Sequence, residues 1–444
     1  MGIQHAFSKG RNGKSQTGKN VGKQMKGDKM KCKCKIAVVF LLILVMLVPL
    51  SSSCGGDEGG GKVTIHIGQL TDLTGPGAPA LKQITYITED MIRYYNDENI
   101  IPGVRLKLDA YDTQFNPARY SLGYDWCKQK GDDVVITIIG DAPLMLKPFA
   151  ARDKVVLAAM GAVDELFTPP GWVFGFSDTV QQASKVLLHW IVENDWPNKG
   201  QGTPKIAIVG WNDTQSVNEA DTIEAYVKSH PDEYEYIDRL ITPVGTMTFT
   251  SEAKRLKDEG CDYVAIVAGN IFSPVLRDLR AAGSQATVLD CIASMGSFVR
   301  MHVQMVGWDL LDGQYSTSNS FAWSDPSDPI VQLATTLVHR YRSSEATELM
   351  VGNTYVGPAA MMVAILEILQ QAVGNMGAEN FNGQAYYDAA INYKTMSSIW
   401  ENYPEFSFSE MRRKLMDHSV ISGFKGGDVK DYVTISGWLP DIVD

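Results

Sequence analysis

Along this chain, short apolar stretches alternate with segments whose apolar residues recur three and four apart. The first pair is the clearest. Val63, Ile65 and Ile67 alternate with Thr64 and His66 and run on to Leu70, the mark of a buried strand. A Thr74, Gly75, Pro76, Gly77 loop follows, and then Leu81, Ile84, Ile87, Met91, Ile92 and Tyr95 fall on one helical face. In an open parallel sheet, ligands bind beyond the carboxyl ends of the strands, where such loops gather.

The same unit recurs. Val104, Leu106, Leu108 and Ala110 make a second strand, and a helix follows over 118–130. Strands over 134–139, 155–159 and 173–176 come next; the first two end at Gly140, Asp141, Ala142, Pro143 and at Met160, Gly161, Ala162. After Ser177 and Asp178, a helix carrying Ala183, Val186, Leu187, Trp190 and Ile191 leads into a second series. Its strands are predicted over 206–209, 234–241, 263–267, 288–293 and 314–320, with helices over 217–228, 251–259, 275–282 and 298–306. The last third offers helices over 330–342, 355–373 and 409–416 and one strand near 432–435, so those helices must pack on the earlier sheets. Strands separated by helices mean βαβ units and right-handed crossovers: an α/β fold with two doubly wound parallel-sheet lobes. A length of 444 residues asks for two lobes as well.

Charge divides the chain in a different place. Residues 1–53 carry nine Lys, one Arg and one Asp, a net of +9, so the rest carries −20 of the overall −11. A surface that acidic repels phosphate backbones and speaks against nucleic-acid binding by the folded part. The first 35 residues lack any apolar period and read as disordered; Gly10 to Ser15 lacks the glycine spacing of a phosphate-binding loop. A basic flank at 31–35, an apolar run over 36–50 and small residues after it make an export signal, for which Met30 or Met25 would be a start of ordinary proportions. Residues 54–62 are a Gly, Asp and Glu-rich tether. Beyond residue 54 no stretch looks long and apolar enough to cross a bilayer.

Three cysteines follow the tether, Cys127, Cys261 and Cys291. Cys261 opens one predicted strand and Cys291 closes the next, which puts them beyond disulfide reach in parallel strands, so all three are expected as buried free thiols. The seven histidines are scattered, without an i, i+4 pair, and nominate no metal site. No Gly-x-Ser-x-Gly elbow is present, and the Gly75, Pro76, Gly77 loop comes late after its strand and carries prolines that restrict the turn, unlike a dinucleotide fingerprint. The sequence asks for no cofactor.

Several marks in order now carry a resemblance: the strand and Leu73-Thr74-Gly75-Pro76 loop, Asn96 closing the first helix, the strand over 205–209, the strand over 262–266 ahead of Leu279-Arg280-Ala281-Ala282-Gly283, and the 352–364 segment before a long helix. Together they resemble a type I periplasmic solute-binding protein of the branched-chain amino-acid (Leu/Ile/Val) class, the receptor of an ATP-driven (ABC) importer. The resemblance implies two lobes joined by three crossovers, one built from 63–177 with 323–420, the other from 178–322 with 421–444. It implies a small-molecule solute, a membrane permease as partner, a monomer, and hinge closure near 176–178, 320–325 and the C-terminal segment. Cys54 resembles the lipidated first residue of a bacterial lipoprotein, although Ser51 stands where an apolar residue is preferred. An ordinary signal peptide cleaved among the serines is the alternative.

The chain departs from the family at the ligand. Where amino-acid binders present hydroxyls after the third and fourth strands, this sequence has Asp141, Ala142 and then Gly161, Ala162, Val163. The aromatic wall falls at Ala80, and the acid that takes the ammonium falls near Ser294. A buried ammonium needs a compensating charge, so a plain amino acid is disfavoured unless Asp141 supplies it. The resulting candidate set is Thr74, Asp141, Ala142, Gly161, Ala162, Val163, Trp211, Gln215, Asn270 and Ser294. Trp211 fits either a cleft wall or lobe packing, and Asp141 either a ligand contact or a helix cap. The set suits an amino-acid derivative, an amide, or an aromatic or aliphatic carboxylate. The expected function is extracytoplasmic solute capture for import, not catalysis; a sensory receptor or an extracytoplasmic hydrolase are the alternatives.

Overall fold

The opening alternation becomes strand β1 (Val63–Thr71), which lies between helix α1 (Ala78–Asp97) on one face and helix α2 (Tyr120–Lys130) on the other. Gln69 and Thr71 bond Thr88 and Thr85 of α1, whereas Gly68 and Leu70 sit against Cys127 and Gly123 of α2. These positions belong to a computed structural model that describes residues 61–161 and 163–442. The leader, Cys54 and Ala162 lie outside the described residues.

The first sheet runs β2-β1-β3-β4-β5, all parallel, with β2 (Val104–Asp112), β3 (Val134–Thr137), β4 (Val156–Ala159) and β5 (Val173–Gly175). Helices α3 (Ala142–Asp153) and α4 (Val180–Trp190) follow β3 and β5. The second sheet is parallel through β6 (Lys205–Trp211), β7 (Glu235–Thr242), β8 (Tyr263–Ile266), β9 (Thr287–Asp290) and β10 (Tyr315–Ser318). It gains an antiparallel edge from β11 (His418–Lys425), β12 (Asp431–Thr434) and β13 (Leu439–Pro440). Around it lie α5 (Thr214–Ser229), α6 (Thr250–Asp258), α7 (Phe272–Ala281), α8 (Val299–Val306) and α9 (Trp308–Leu311). Helices α10 (Pro329–Tyr341), α11 (Ala346–Leu349), α12 (Gly357–Met376) and α13 (Gly383–Ala390) return to the first sheet, and their apolar faces share its core.

Two expectations need correction, and two elements carried no signal in the sequence. The helix expected over 409–416 is irregular chain that lies beside β5, where Leu415 N donates to Gly175 O and Gly175 N to Arg413 O. Edge pairing, with Arg413 buried against Tyr387 and Gly171, overrides the local helical pattern there. Helix α3 escapes the periodicity because Pro143 opens it and Pro148 lies inside it. Strand β11, with a buried run from Ser419 to Phe424, carries no alternation to reveal it. Lastly, α12 is long and apolar enough to cross a membrane by length and composition, yet 67% of its most apolar window is buried within the fold. It is a core helix here. The three cysteines are free and buried, as expected.

Candidate ligand cleft between the sheets

The carboxyl ends of the two sheets' strands face a shared cavity of about 200 Å³. From the first sheet come Ile138, Met160, Gly161 and Ser177; from the second come Ile292, Ala293, Ser318 and Asn319. Val180 and Ala183 line it from the first turn of α4, and Gly357, Pro358 and Met361 from the start of α12. The positive ends of two helix dipoles therefore open on one space. Asp178 is the one ionisable side chain among the described lining residues.

Asp178 is not free to take a ligand's charge. Its Oδ1 accepts from Lys414 Nζ and Thr179 N, both at 2.7 Å, and its Oδ2 from Ser419 Oγ at 3.2 Å. Burial pushes its carboxyl up, while the Lys414 ammonium pulls it back down. Ser177 differs: its hydroxyl is buried without a partner at the cavity wall. A buried hydroxyl without a partner is costly, and a ligand oxygen would satisfy it.

The opposite wall is held by Asp290, a buried carboxylate that accepts from Ser294 N at 2.6 Å, Met295 N, Ile292 N at 3.3 Å and Ser316 Oγ at 3.0 Å. This clamp forces Ala293, which lines the cavity, to φ +53°, a conformation uncommon for a residue with a Cβ. The next loop is tied across to the first-sheet body: Asn353 N donates to Gly296 O at 3.0 Å and Thr354 Oγ1 to Ser297 O at 3.3 Å. Gly352 packs so closely on Gly296 O that a Cβ there would lie 2.2 Å away.

Of the residues chosen from sequence, Gly161 lines the cavity. Gln215, at the head of α5, lies across from Gly140, whose ideal Cβ would be 4.0 Å from Gln215 Oε1. Ser294 gives its amide and hydroxyl to Asp290, and Thr74 Oγ1 donates to Asp112 at 2.6 Å. Trp211 donates from its indole to Thr246 O at 3.0 Å and packs on the second core. Asp141 is exposed, precedes α3 without a side-chain cap bond, and accepts from Tyr120 Oη at 3.0 Å. Ala142 is buried in the first core, Val163 packs on that core, and Asn270 is half-buried in a single turn before α7. None of these last residues reaches the cavity wall. Sequence reasoning missed Ser177, Ser297, Asn319, Asn353 and Thr354, which do; only the family-like 352–364 segment signalled one part of them.

A profile of the periplasmic binding protein family matches residues 64–398. The chain belongs to that family. Its relatives in solved structures include a branched-chain amino-acid ABC transporter protein from Thermus thermophilus with bound valine, at 17% identity and TM-score 0.72, covering 86% of this chain and 97% of that one. A solute-binding protein from Rhodopseudomonas palustris BisB5, in complex with 3,4-dihydroxybenzoic acid, matches at 16% identity and TM-score 0.66, covering 86% and 98%. A fatty acid ABC transporter substrate-binding protein from Thermomonospora curvata matches at 13% and 0.69, covering 86% and 94%. At these identities the likeness is one of fold. No curated protein shows significant sequence similarity to the chain. This periplasmic binding protein is of type I, with the α/β architecture of the branched-chain amino-acid class.

Proposed function

We propose that this binding protein captures a small organic carboxylate with an apolar body and delivers it to the permease of an ABC importer. The observation that carries the reading is the cavity itself: two helix N-termini and the Ser177 hydroxyl face it, and its single acid is already paired with Lys414. Partial positive charge without a free carboxylate favours an anion over an ammonium. The apolar lining from Ile138, Met160, Val180, Ile292 and Met361 suits a hydrocarbon or aromatic body. Valine, dihydroxybenzoic acid and fatty acids, named with the fold relatives, all carry a carboxyl group.

In this reading the lobes 63–177 with 323–420 and 178–322 with 421–444 close about three crossovers. Affinity comes from contacts made only in the closed form. The protein works outside the cytoplasm as a monomer, tethered through a lipid on Cys54. We read it as a receptor, in line with the periplasmic binding protein family and the transporter proteins that share its fold.

The test is a thermal-shift screen of aliphatic and aromatic carboxylates, each against its own amide and amine. A ligand at 100 times its dissociation constant adds about 2.7 kcal/mol of stability. A carboxylate that stabilises where its amide does not supports the proposal. Stabilisation by amines alone would refute it, and an altered ligand mass after incubation would replace receptor by enzyme.

A further inference from the structure

Far from the cleft, three residues remote in sequence meet on the α2 side of the first sheet. His66 on β1, Asp109 on β2 and Asp132 just before β3 bring one imidazole nitrogen and two carboxylates within 4.8 Å of one another. His66 Nδ1 lies 2.6 Å from Asp109 Oδ2. Asp132 is only 2% exposed, and among the described residues its carboxylate has no partner beyond the weak donor of the adjacent Cys127 thiol. A buried carboxylate so poorly satisfied, beside a histidine and a second carboxylate, calls for a counter-charge.

The cluster has a built floor. Gly68 lies opposite Asp109 in the β1/β2 register and two residues after His66, on the same face of the strand. An ideal Cβ at Gly68 would sit 2.8 Å from Cys127 Sγ and 2.9 Å from Asp132 Oδ2. The missing side chain is what lets the thiol and the carboxylate lie against the strand.

We propose that His66, Asp109 and Asp132 bind a first-row divalent cation of the zinc type, with the Cys127 thiol beside them. An imidazole nitrogen near a thiol selects zinc or cobalt over magnesium and calcium, which prefer oxygen alone. Two carboxylates neutralise the dication. At metal–ligand distances of about 2.0–2.2 Å, tetrahedral neighbours stand roughly 3.3 Å apart, so His66 and Asp109 need only separate from hydrogen-bond distance. Lys107 Nζ, 3.4 Å from Asp109 Oδ1, is half exposed and swings to solvent when the cation enters. Without a cation, burial and the Asp109 charge push the Asp132 carboxyl up to about 7. Asp132 lies six residues from the cavity residue Ile138, roughly 20 Å along an extended strand. The cation therefore staples β1, β2 and the α2–β3 turn without touching the solute.

The experiment is calorimetric titration and thermal unfolding of EDTA-treated full-length protein with ZnCl2, beside CaCl2 and MgCl2. Cys32, Cys34 and Cys54 of the leader can bind zinc themselves, so the measure is the difference between wild type and Asp132→Asn. His66→Gln, at a side chain 25% exposed, serves as the second variant should Asp132→Asn fold poorly. Each variant should lose one zinc equivalent together with the melting rise of about 3 °C expected for wild type. Cobalt, followed by its visible spectrum, should bind wild type with one equivalent more than Asp132→Asn. Equal zinc stoichiometry in wild type and both variants, or an equal response to calcium and magnesium, overturns the proposal.

Discussion

Lys414 Nζ lies 2.7 Å from Asp178 Oδ1, a contact spanning 236 positions that ties the third connection between the sheets to the first. Asp178 N in turn donates to Asn319 Oδ1 of the second connection at 3.2 Å. Ser419 Oγ adds a bond to Asp178 Oδ2, and Lys414 also reaches Asp441. The three connections thus share one buried node. Burial works against the charge on Lys414, but the two carboxylates more than offset it and hold its pKa above the usual value.

Lys414→Met leaves Asp178 buried without its ammonium, which costs about 3–5 kcal/mol for a broken buried pair. Pairing it with Asp178→Asn removes the orphaned charge, so the double variant should be clearly more stable than Lys414→Met alone. Urea unfolding of the two single variants and the double variant checks this. Additive losses would mean the two side chains are not coupled.

Apart from β11 and the crossover helix α3, both sheets were legible because their strands keep apolar runs and their crossover helices keep a 3.6-residue period. The cleft was legible only where it follows a strand end, as at Gly161. Asn319 and Asp178 stand 141 positions apart and meet through the topology alone, so no spacing could announce them. The same holds for His66, Asp109 and Asp132, which share a face only once β1, β2 and β3 are in register. Thr74 and Ser294 carried the right chemistry, but nearby carboxylates had already engaged them, and sequence does not show that competition.

Gly161 lines the cavity, and a Cβ added there would meet only Gly140 Cα, at 3.8 Å, an ordinary contact. Gly161→Leu should therefore leave unliganded stability within about 1 kcal/mol. The longer side chain fills the space a ligand needs, so stabilisation by the best carboxylate from the screen should vanish. Retained stabilisation would place the ligand elsewhere in the cleft.

Trp211 ties the 243–248 loop through Thr246 O and packs on the second core. Trp211→Ala should lower unliganded stability by about 2 kcal/mol and leave the ligand-induced shift in place. The reverse pattern, an unchanged melting point with the ligand shift lost, would make Trp211 a cleft wall.

Glu219 on α5 is fully buried, and among the described residues no cation pairs with its carboxylate, which has only the Ser184 hydroxyl near it. Burial pushes its pKa from 4.5 up to about 8; the Ser184 hydroxyl opposes the rise, and Asp164 and Glu165 reinforce it. The folded state therefore holds a proton that the unfolded chain releases near pH 4.5. Its contribution is fully present below that pH and is lost progressively as pH rises toward 8. Glu219→Gln keeps the shape and removes the titration. The variant should match wild type near pH 4 and exceed it by a few kcal/mol at pH 8, measured by urea unfolding across that range. Parallel pH profiles for the two proteins would show that Glu219 is charged and solvated in the fold.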